Sequence, residues 1–292
     1  MADPLSQVFF PAGFQELFAA WHRFPDAVLF AGGTELIRNQ SRHTLRLPQN
    51  IISLEHLEEL SRISRTERYI EIGAMVKLNQ IIQLGKIVPE ALTRCIKNIA
   101  GPQLRSQATI GGNLCNPSRK LDCSVPMVAL DAHYELRTAQ SARWIAASRI
   151  SSLPGGLADL GPQEILTRIR VPLDPWTYTW YRKFRFDGSK EPGGGILFIM
   201  RNEKNVLTNI RVVYSGQAVF REKHCETRLE GKLLPLERKD VKAFVDGWKI
   251  YLSSAETEGR NLFPDNNMNY SVEFMKTRIV NFIEAALMRI SD

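Results

Sequence analysis

The 292 residues carry a formal charge of +7, with 44% apolar and 24% charged side chains, the make-up of an ordinary globular protein of about two domains. No stretch approaches the roughly 18 apolar residues of a membrane span, Asp3, Pro4 and Pro11 exclude a normal signal peptide, and the basic residues are too dispersed for nucleic acid. Cys95, Cys115, Cys123 and Cys225 show no zinc-ligand rhythm, so a cytoplasmic, reducing location and no bound metal are expected.

From the N-terminus, Phe14, Leu17, Phe18 and Trp21 recur at helical spacing up to Pro25. Residues 27–31 read as a strand that breaks into Gly32-Gly33. Residues 51–54 and the alternating 69–73 read as two more strands. Leu78, Ile81 and Ile82 predict a short helix, and 89–99 a second one stopped at Ala100-Gly101-Pro102. Cys95 shares the apolar face of that helix with Leu92, Ile96 and Ile99, a core position. A second glycine pair, Gly111-Gly112, then runs into Asn116-Pro117-Ser118 and Asp122. Residues 127–138 read as strand or mixed structure, and 164–171 as a strand before Pro172.

The Pro, Asp and Trp cluster at 172–180 marks a domain boundary. Beyond it, 195–200 and 210–214 are strand-like about a turn at 202–205. Val272, Met275, Ile279, Ile283, Ala286 and Ile290 share one face of a C-terminal amphipathic helix. The mixture predicts an α+β protein with a cofactor domain first and a smaller α+β domain last.

The two glycine pairs carry the chemistry. Glycine admits positive φ and close backbone approach, and successive N–H groups can converge on an anion. Two such loops can hold a diphosphate, although most glycine pairs are only turns. Neither pair continues as Gly-Lys-Ser/Thr or as G-x-G-x-x-G, so neither is an ordinary nucleotide-binding loop. Thr34 and Thr109 add hydroxyls, and Asn113 and Asn116 add amides able to bind phosphate or ribitol oxygens. Asp122 is either a sugar-hydroxyl acceptor or a helix N-cap. The histidines are scattered, and no catalytic side-chain constellation is visible. Any reactivity must therefore come from a cofactor.

Taken in order, these segments resemble the FAD-binding medium subunit of the molybdenum hydroxylases, the family of bacterial xanthine dehydrogenase and of the carbon monoxide dehydrogenase flavoprotein. Phe30-Ala-Gly-Gly-Thr-Glu-Leu-Ile37 resembles the family's first pyrophosphate loop. Ile99-Ala-Gly-Pro-Gln-Leu-Arg105 and Thr109-Ile-Gly-Gly-Asn113, with Asn116 and Asp122, resemble the second loop and its approach. Glu164-Ile-Leu166 to Pro172 is similar to the strand that closes the flavin domain. Tyr181-Arg-Lys-Phe184 is similar to the start of the C-terminal domain, and 210–231 to its strand and helix pattern.

The resemblance implies a vanillyl-alcohol-oxidase-like (PCMH-type) FAD-binding domain over 1–175, with subdomains of about 1–58 and 59–175. A C-terminal domain of the carbon monoxide dehydrogenase flavoprotein type would fill 176–292. It also implies contacts position by position. Leu29, Phe30, Ala31, Gly32, Gly33, Thr34, Glu35 and Leu36 would embrace the diphosphate. Ala100, Thr109, Gly111, Gly112, Asn113 and Asn116 would meet the diphosphate and its flanking sugars. Asp122 would reach the adenosine side, and Leu166 and Lys183 would line the flavin.

The implied partners are a molybdopterin-binding large subunit and a [2Fe-2S] small subunit, with NAD or another final acceptor. The implied function is a flavoprotein oxidoreductase subunit passing electrons onward. The alternative is a non-catalytic scaffold subunit that has lost flavin. Residues 184–195, rich in glycine and charge, depart from the family pattern, and the flavin environment turns on them.

Overall fold

Three sheets, each with its own helices, organise the chain in the computed structural model, which describes residues 6–40, 47–116, 123–151, 160–185, 192–216, 218–257 and 272–291. The first comprises β1 (Gln7–Phe9), β2 (Val28–Phe30) and β3 (Asn50–Ser53), ordered β1-β3-β2 with parallel pairings. Parallel neighbours need crossovers. Here α1 (Phe14–Arg23) and α2 (Thr34–Gln40) lie in the connections. The expected stripe of α1 is buried at Phe14, Leu17 and Phe18, in one core with Ile52 and Leu54.

The second sheet is antiparallel, ordered β4-β5-β8-β6-β7, from β4 (Ile63–Arg65), β5 (Tyr69–Gly73), β6 (His133–Arg137), β7 (Ala142–Ala146) and β8 (Ile165–Pro172). Between β5 and β6 come α3 (Leu78–Gln83), α4 (Glu90–Lys97), α5 (Pro102–Gln107), α6 (Ile110–Leu114) and α7 (Ser124–Ala129); α8 (Ala147–Ser151) follows β7. Ile70, Ile72, Tyr134 and Ile169 from the strands share a core with Leu78, Leu92, Ile96 and Met127 from the helices. A bulge in the β6–β8 register opposes Glu135 to Arg168 and Leu136 to Leu166, so Thr167 is the extra residue. Such a bulge shifts the side-chain phase. Leu166 and Ile169 therefore both join the core.

On the opposite face of this sheet, Arg168 bonds Glu135 and Glu71, and Arg170 bonds Glu71 and stacks over Trp144. Burial opposes ionisation of Glu135, yet hydrogen bonds from Arg168 and Thr167 outweigh it and hold the carboxyl below its usual range.

The third sheet, β12-β11-β10-β9, is antiparallel: β9 (Tyr178–Arg185), β10 (Pro192–Glu203), β11 (Val206–Ser215) and β12 (Val219–Arg221). Both its faces are covered. Tyr181, Leu197, Ile199 and Val213 enter the core built on the second sheet. Phe184, Ile196, Phe198 and Val212 pack with α10 (Arg238–Thr257) and α11 (Val272–Ser291), while α9 (Lys223–Glu226) follows β12. That explains an unbroken apolar run at 196–200 in an antiparallel strand, where one wet face would have imposed alternation. Arg211 and Arg221 both bond Asp131, just past α7, and so fasten this sheet to the second unit.

The α+β class stands, with local differences. The helix α10 is absent from the sequence reading, although Val241, Phe244, Val245, Trp248 and Leu252 are buried at helical spacing. Residues 127–138 divide between the end of α7 and β6. Ala100-Gly101-Pro102 ends α4 as expected but also starts α5, with Pro102 in its first turn. The second glycine pair lies inside the short helix α6 rather than in an open loop.

Candidate functional site

The chain leaves β2 at Phe30, whose carbonyl accepts from Leu54 N at 2.9 Å. It turns through Gly33, whose φ of +68° strains any residue with a side chain. The first bond of α2 runs from Ile37 N to Gly33 O at 3.0 Å. The first-turn N–H groups ahead of Ile37, those of Thr34 and Leu36 among them, therefore have no acceptor within their own helix. This is the geometry in which a loop offers successive donors to an anion.

The second turn is built differently. Thr109 is the N-cap of α6, and its hydroxyl accepts from Gly112 N at 3.1 Å. Ile110 N and Gly111 N donate to Val76 O and Ala74 O at 3.0 and 2.8 Å, tying the turn to the chain after β5. A Cβ on Gly111 would stand 2.7 Å from Ala74 O, so the absence of a side chain is what allows the turn to seat there.

The two turns meet. A Cβ on Gly32 would lie 2.2 Å from Gln107 O and 3.1 Å from Ala108 Cα, so the first turn rests on the backbone leading into the second. A Cβ on Gly112 would lie 3.7 Å from the Ala31 methyl. The predicted residues Ala31, Gly32, Thr109 and Gly112 are thus brought together with Ala108 and with Gln107, which sequence reasoning did not single out. Nothing local in the sequence marks Gln107, because its role is a contact with a distant glycine.

A second junction forms at the end of α4. Ala100 has a φ of 42°, unusual for a residue with a side chain. The Arg105 guanidinium donates to Ile99 O and Ala100 O at 2.8 and 2.6 Å. Lys183 Nζ on β9 donates to Asn98 O at 3.3 Å. Two cations therefore cap the carbonyl end of one helix, where positive charge is favourable. They also place Lys183 beside the Ala100 turn.

The remaining expected residues are more scattered. Leu166 is 2% exposed and belongs to the core. Ile110 and Leu114 of α6 share that core, and the carbonyl of the next residue, Thr167, accepts from Ala74 N. Asn113 Oδ1 accepts from Cys123 N at 3.4 Å, and Asn116 is buried. Leu29 is half-buried in the middle of β2. Asp122 lies outside the described residues.

Cys115 closes α6, and burial pushes its thiol up to about 12, so it is protonated at neutral pH. Among the described residues no group of His, Cys, Asp or Glu could hold a metal ion, and no helix is long and apolar enough to cross a membrane. A cleft of about 580 Å³, lined by residues including Phe14, His22, Arg137 and Gln163, shares no residue with the glycine turns.

The family described as FAD binding domain in molybdopterin dehydrogenase matches residues 4–174. The xanthine dehydrogenase FAD-binding subunit of Escherichia coli O157:H7 is 30% identical over 166 residues, covering 56% of each chain. The match thus spans a little over half of that relative's length. The carbon monoxide dehydrogenase medium chain of Hydrogenophaga pseudoflava is 27% identical over 217 residues, covering 73% of this chain and 75% of that one.

Among solved structures, carbon monoxide dehydrogenase from Hydrogenophaga pseudoflava superposes with a TM-score of 0.82 at 22% identity, over 100% of this chain and 98% of the other. Quinoline 2-oxidoreductase from Pseudomonas putida 86 gives 0.79 at 16% identity, again over 100% and 98%. The shared fold thus extends over the whole chain, beyond the residues matched by the family.

Proposed function

We propose that this chain, which belongs to the family of FAD-binding domains of molybdopterin dehydrogenases, is the flavin electron-transfer subunit of a molybdenum hydroxylase complex. The observation that carries the reading is the seat of Gly32 on the Gln107 carbonyl, which brings two glycine turns together. The residues present fit a diphosphate. The first turn offers N–H groups that have no acceptor within their own helix, those of Thr34 and Leu36 among them, and Gly112 leaves open the space a side chain would fill beside Ala31. Bound FAD supplies the capacity to exchange electrons singly or in pairs.

In this reading residues 29–36 hold the diphosphate. Ala100, Thr109, Gly111, Gly112, Asn113 and Asn116 hold the opposite side of the cofactor, Asp122 the adenosine end, and Leu166 and Lys183 the flavin end. The Lys183 bond to Asn98 O supports placing the flavin end at the junction of the second and third sheets. The sheets also support a division into 1–58, 59–175 and 176–292, since no strand pairing crosses those bounds among the described residues.

The partners in this reading are a molybdopterin-binding subunit and a [2Fe-2S] subunit, with NAD or another molecule as final acceptor. The family description, which names a molybdopterin dehydrogenase, supports the first. A cytoplasmic location is supported by four cysteines, Cys95, Cys115, Cys123 and Cys225, that form no disulfide.

The test is the visible spectrum of the purified chain, before and after incubation with FAD and desalting. Oxidised-flavin bands, and FAD released on denaturation in amounts equal to protein, are expected. A folded, colourless chain that retains no added FAD would overturn the reading and favour a scaffold subunit.

A further inference from the structure

The first turn of α3 carries a residue of the wrong charge. Lys77 is its N-cap, a position that favours Ser, Thr, Asp or Asn, and a cation there meets the positive end of the helix. Lys77 has no acceptor atom to offer the helix N–H groups. Its backbone N–H is satisfied instead by Gln80 Oε1 at 2.9 Å. The side chain is half-buried, and burial lowers its pKa, with Glu55 opposing. Nothing local to α3 accounts for a lysine here.

Its surroundings do. Lys77 bridges Thr109 backbone to backbone, which sets it beside the chain entering the second glycine turn. Its Nζ donates to Gln107 O at 3.1 Å. That is the same oxygen on which Gly32 rests. Glu55, the charge that opposes the lowered pKa, follows directly on Leu54, whose N–H bonds Phe30 O at the mouth of the first turn. One ammonium therefore touches the backbone between the two turns and feels the charge of Glu55. The carbonyl it binds would otherwise present unopposed negative charge close to a site for an anion.

We propose that Lys77 is a positioning residue for the FAD diphosphate. It pins the Gln107 carbonyl that Gly32 packs on, so fixing the gap between the glycine turns, and sets a positive charge behind them. This rests on the FAD reading above.

The experiment measures FAD binding to the full apo chain by flavin fluorescence, at low and high salt, for wild type, Lys77→Met and Lys77→Arg. Methionine keeps the apolar stem and removes the charge. It is expected to weaken FAD about tenfold at low salt and to flatten the salt dependence, since a charge-assisted interaction is lost. Arginine is expected to stay within a few-fold of wild type and to keep its salt dependence. Lys77→Gln, uncharged but still a donor, gives the same separation if the Met chain does not fold.

Wild-type affinity in Lys77→Met would overturn the inference alone. Equal weakening in both variants with an unchanged salt slope would do the same, because it reports packing rather than charge. A folded wild type that binds no FAD at all overturns the functional reading, and the inference with it.

Discussion

The two glycine pairs look alike in sequence but are used for different reasons. At the first, Gly33 takes a φ of +68° and Gly32 presses on a backbone carbonyl from the other turn. At the second, Gly111 and Gly112 sit inside α6, where the demand is for space rather than for an unusual conformation. Gly111 needs that space against Ala74, in the interior of its own unit; Gly112 needs it on the open side, facing Ala31. A motif of two glycines therefore names neither its physics nor its partner. Substitutions that add one methyl or a little more can separate freedom of backbone, interior contact and open gap.

The largest effect is expected at Gly32. A valine there drives carbon into the Gln107 carbonyl, and backbone on both sides must move. A loss of stability of about 3 kcal/mol or more is expected, with FAD uptake abolished. Chemical denaturation and the flavin spectrum read both. A Gly32→Val chain that stays yellow would show that the turns do not form the cradle.

Gly111→Ala comes next. Its Cβ would meet Ala74 O and Ala74 Cβ, both at 2.7 Å, and the oxygen belongs to backbone that also receives the Gly111 N–H. A loss of about 2 kcal/mol is expected, seen as a lower denaturation midpoint, with FAD affinity falling only as far as the fold is lost. Gly33→Ala should cost about 1–2 kcal/mol from its left-handed backbone. Because the neighbour a Cβ meets there is the Phe30 ring, which can tilt, FAD binding should suffer more than folding does.

Gly112→Ala carries that imbalance furthest. The contacts a Cβ would make are Thr109 Oγ1 at 2.9 Å and the Ala31 methyl at 3.7 Å. A hydroxyl can rotate, and alanine favours helix over glycine by about 1 kcal/mol, so stability should change by less than about 1 kcal/mol. The added methyl projects into the gap between the turns, and a drop of about tenfold in FAD affinity is expected by titration. A variant with unchanged stability and unchanged affinity would remove Gly112 from the site.

Much of this arrangement was legible from sequence where contacts are local. The runs read as strands at 27–31, 51–54, 69–73 and 164–171 are largely apolar or alternating, and each coincides within a residue or so with a strand, at 28–30, 50–53, 69–73 and 165–172. What escaped was non-local or diluted. In α10 the apolar residues are spread among Lys239, Asp240, Lys242 and Asp246, which mask a periodicity that a stricter count would have found. The β7 strand, Ala-Arg-Trp-Ile-Ala, lacks a β-branched run and is held by pairing with β6. At the site, the glycines announced themselves, whereas Gln107 and Lys77 matter only through contacts across the fold. Residue type could not reveal them: a glutamine is used for its carbonyl, and a lysine sits at a helix N-cap.

Ala100 offers the smallest effect and reverses the direction of the others. It holds a φ of 42° without being glycine, just where the α4 carbonyls turn toward Arg105 and Lys183. Glycine would adopt that backbone without strain, but it would also widen the unfolded ensemble, and the two terms oppose each other. Left-handed backbone costs an alanine about 1 kcal/mol, and the entropy cost of glycine is of similar size. Ala100→Gly should therefore shift stability by no more than about 0.5 kcal/mol in thermal melts, with the gain favoured because Arg105 already fixes the turn. Arg105→Gln sharpens the contrast, since it removes the cation that binds the Ile99 and Ala100 carbonyls. With that clamp gone, a glycine at 100 should become harmful, so the double variant should be less stable than the two single changes added together. Strict additivity would mean that the turn is held by α4 and α5 alone, and that the guanidinium merely covers it.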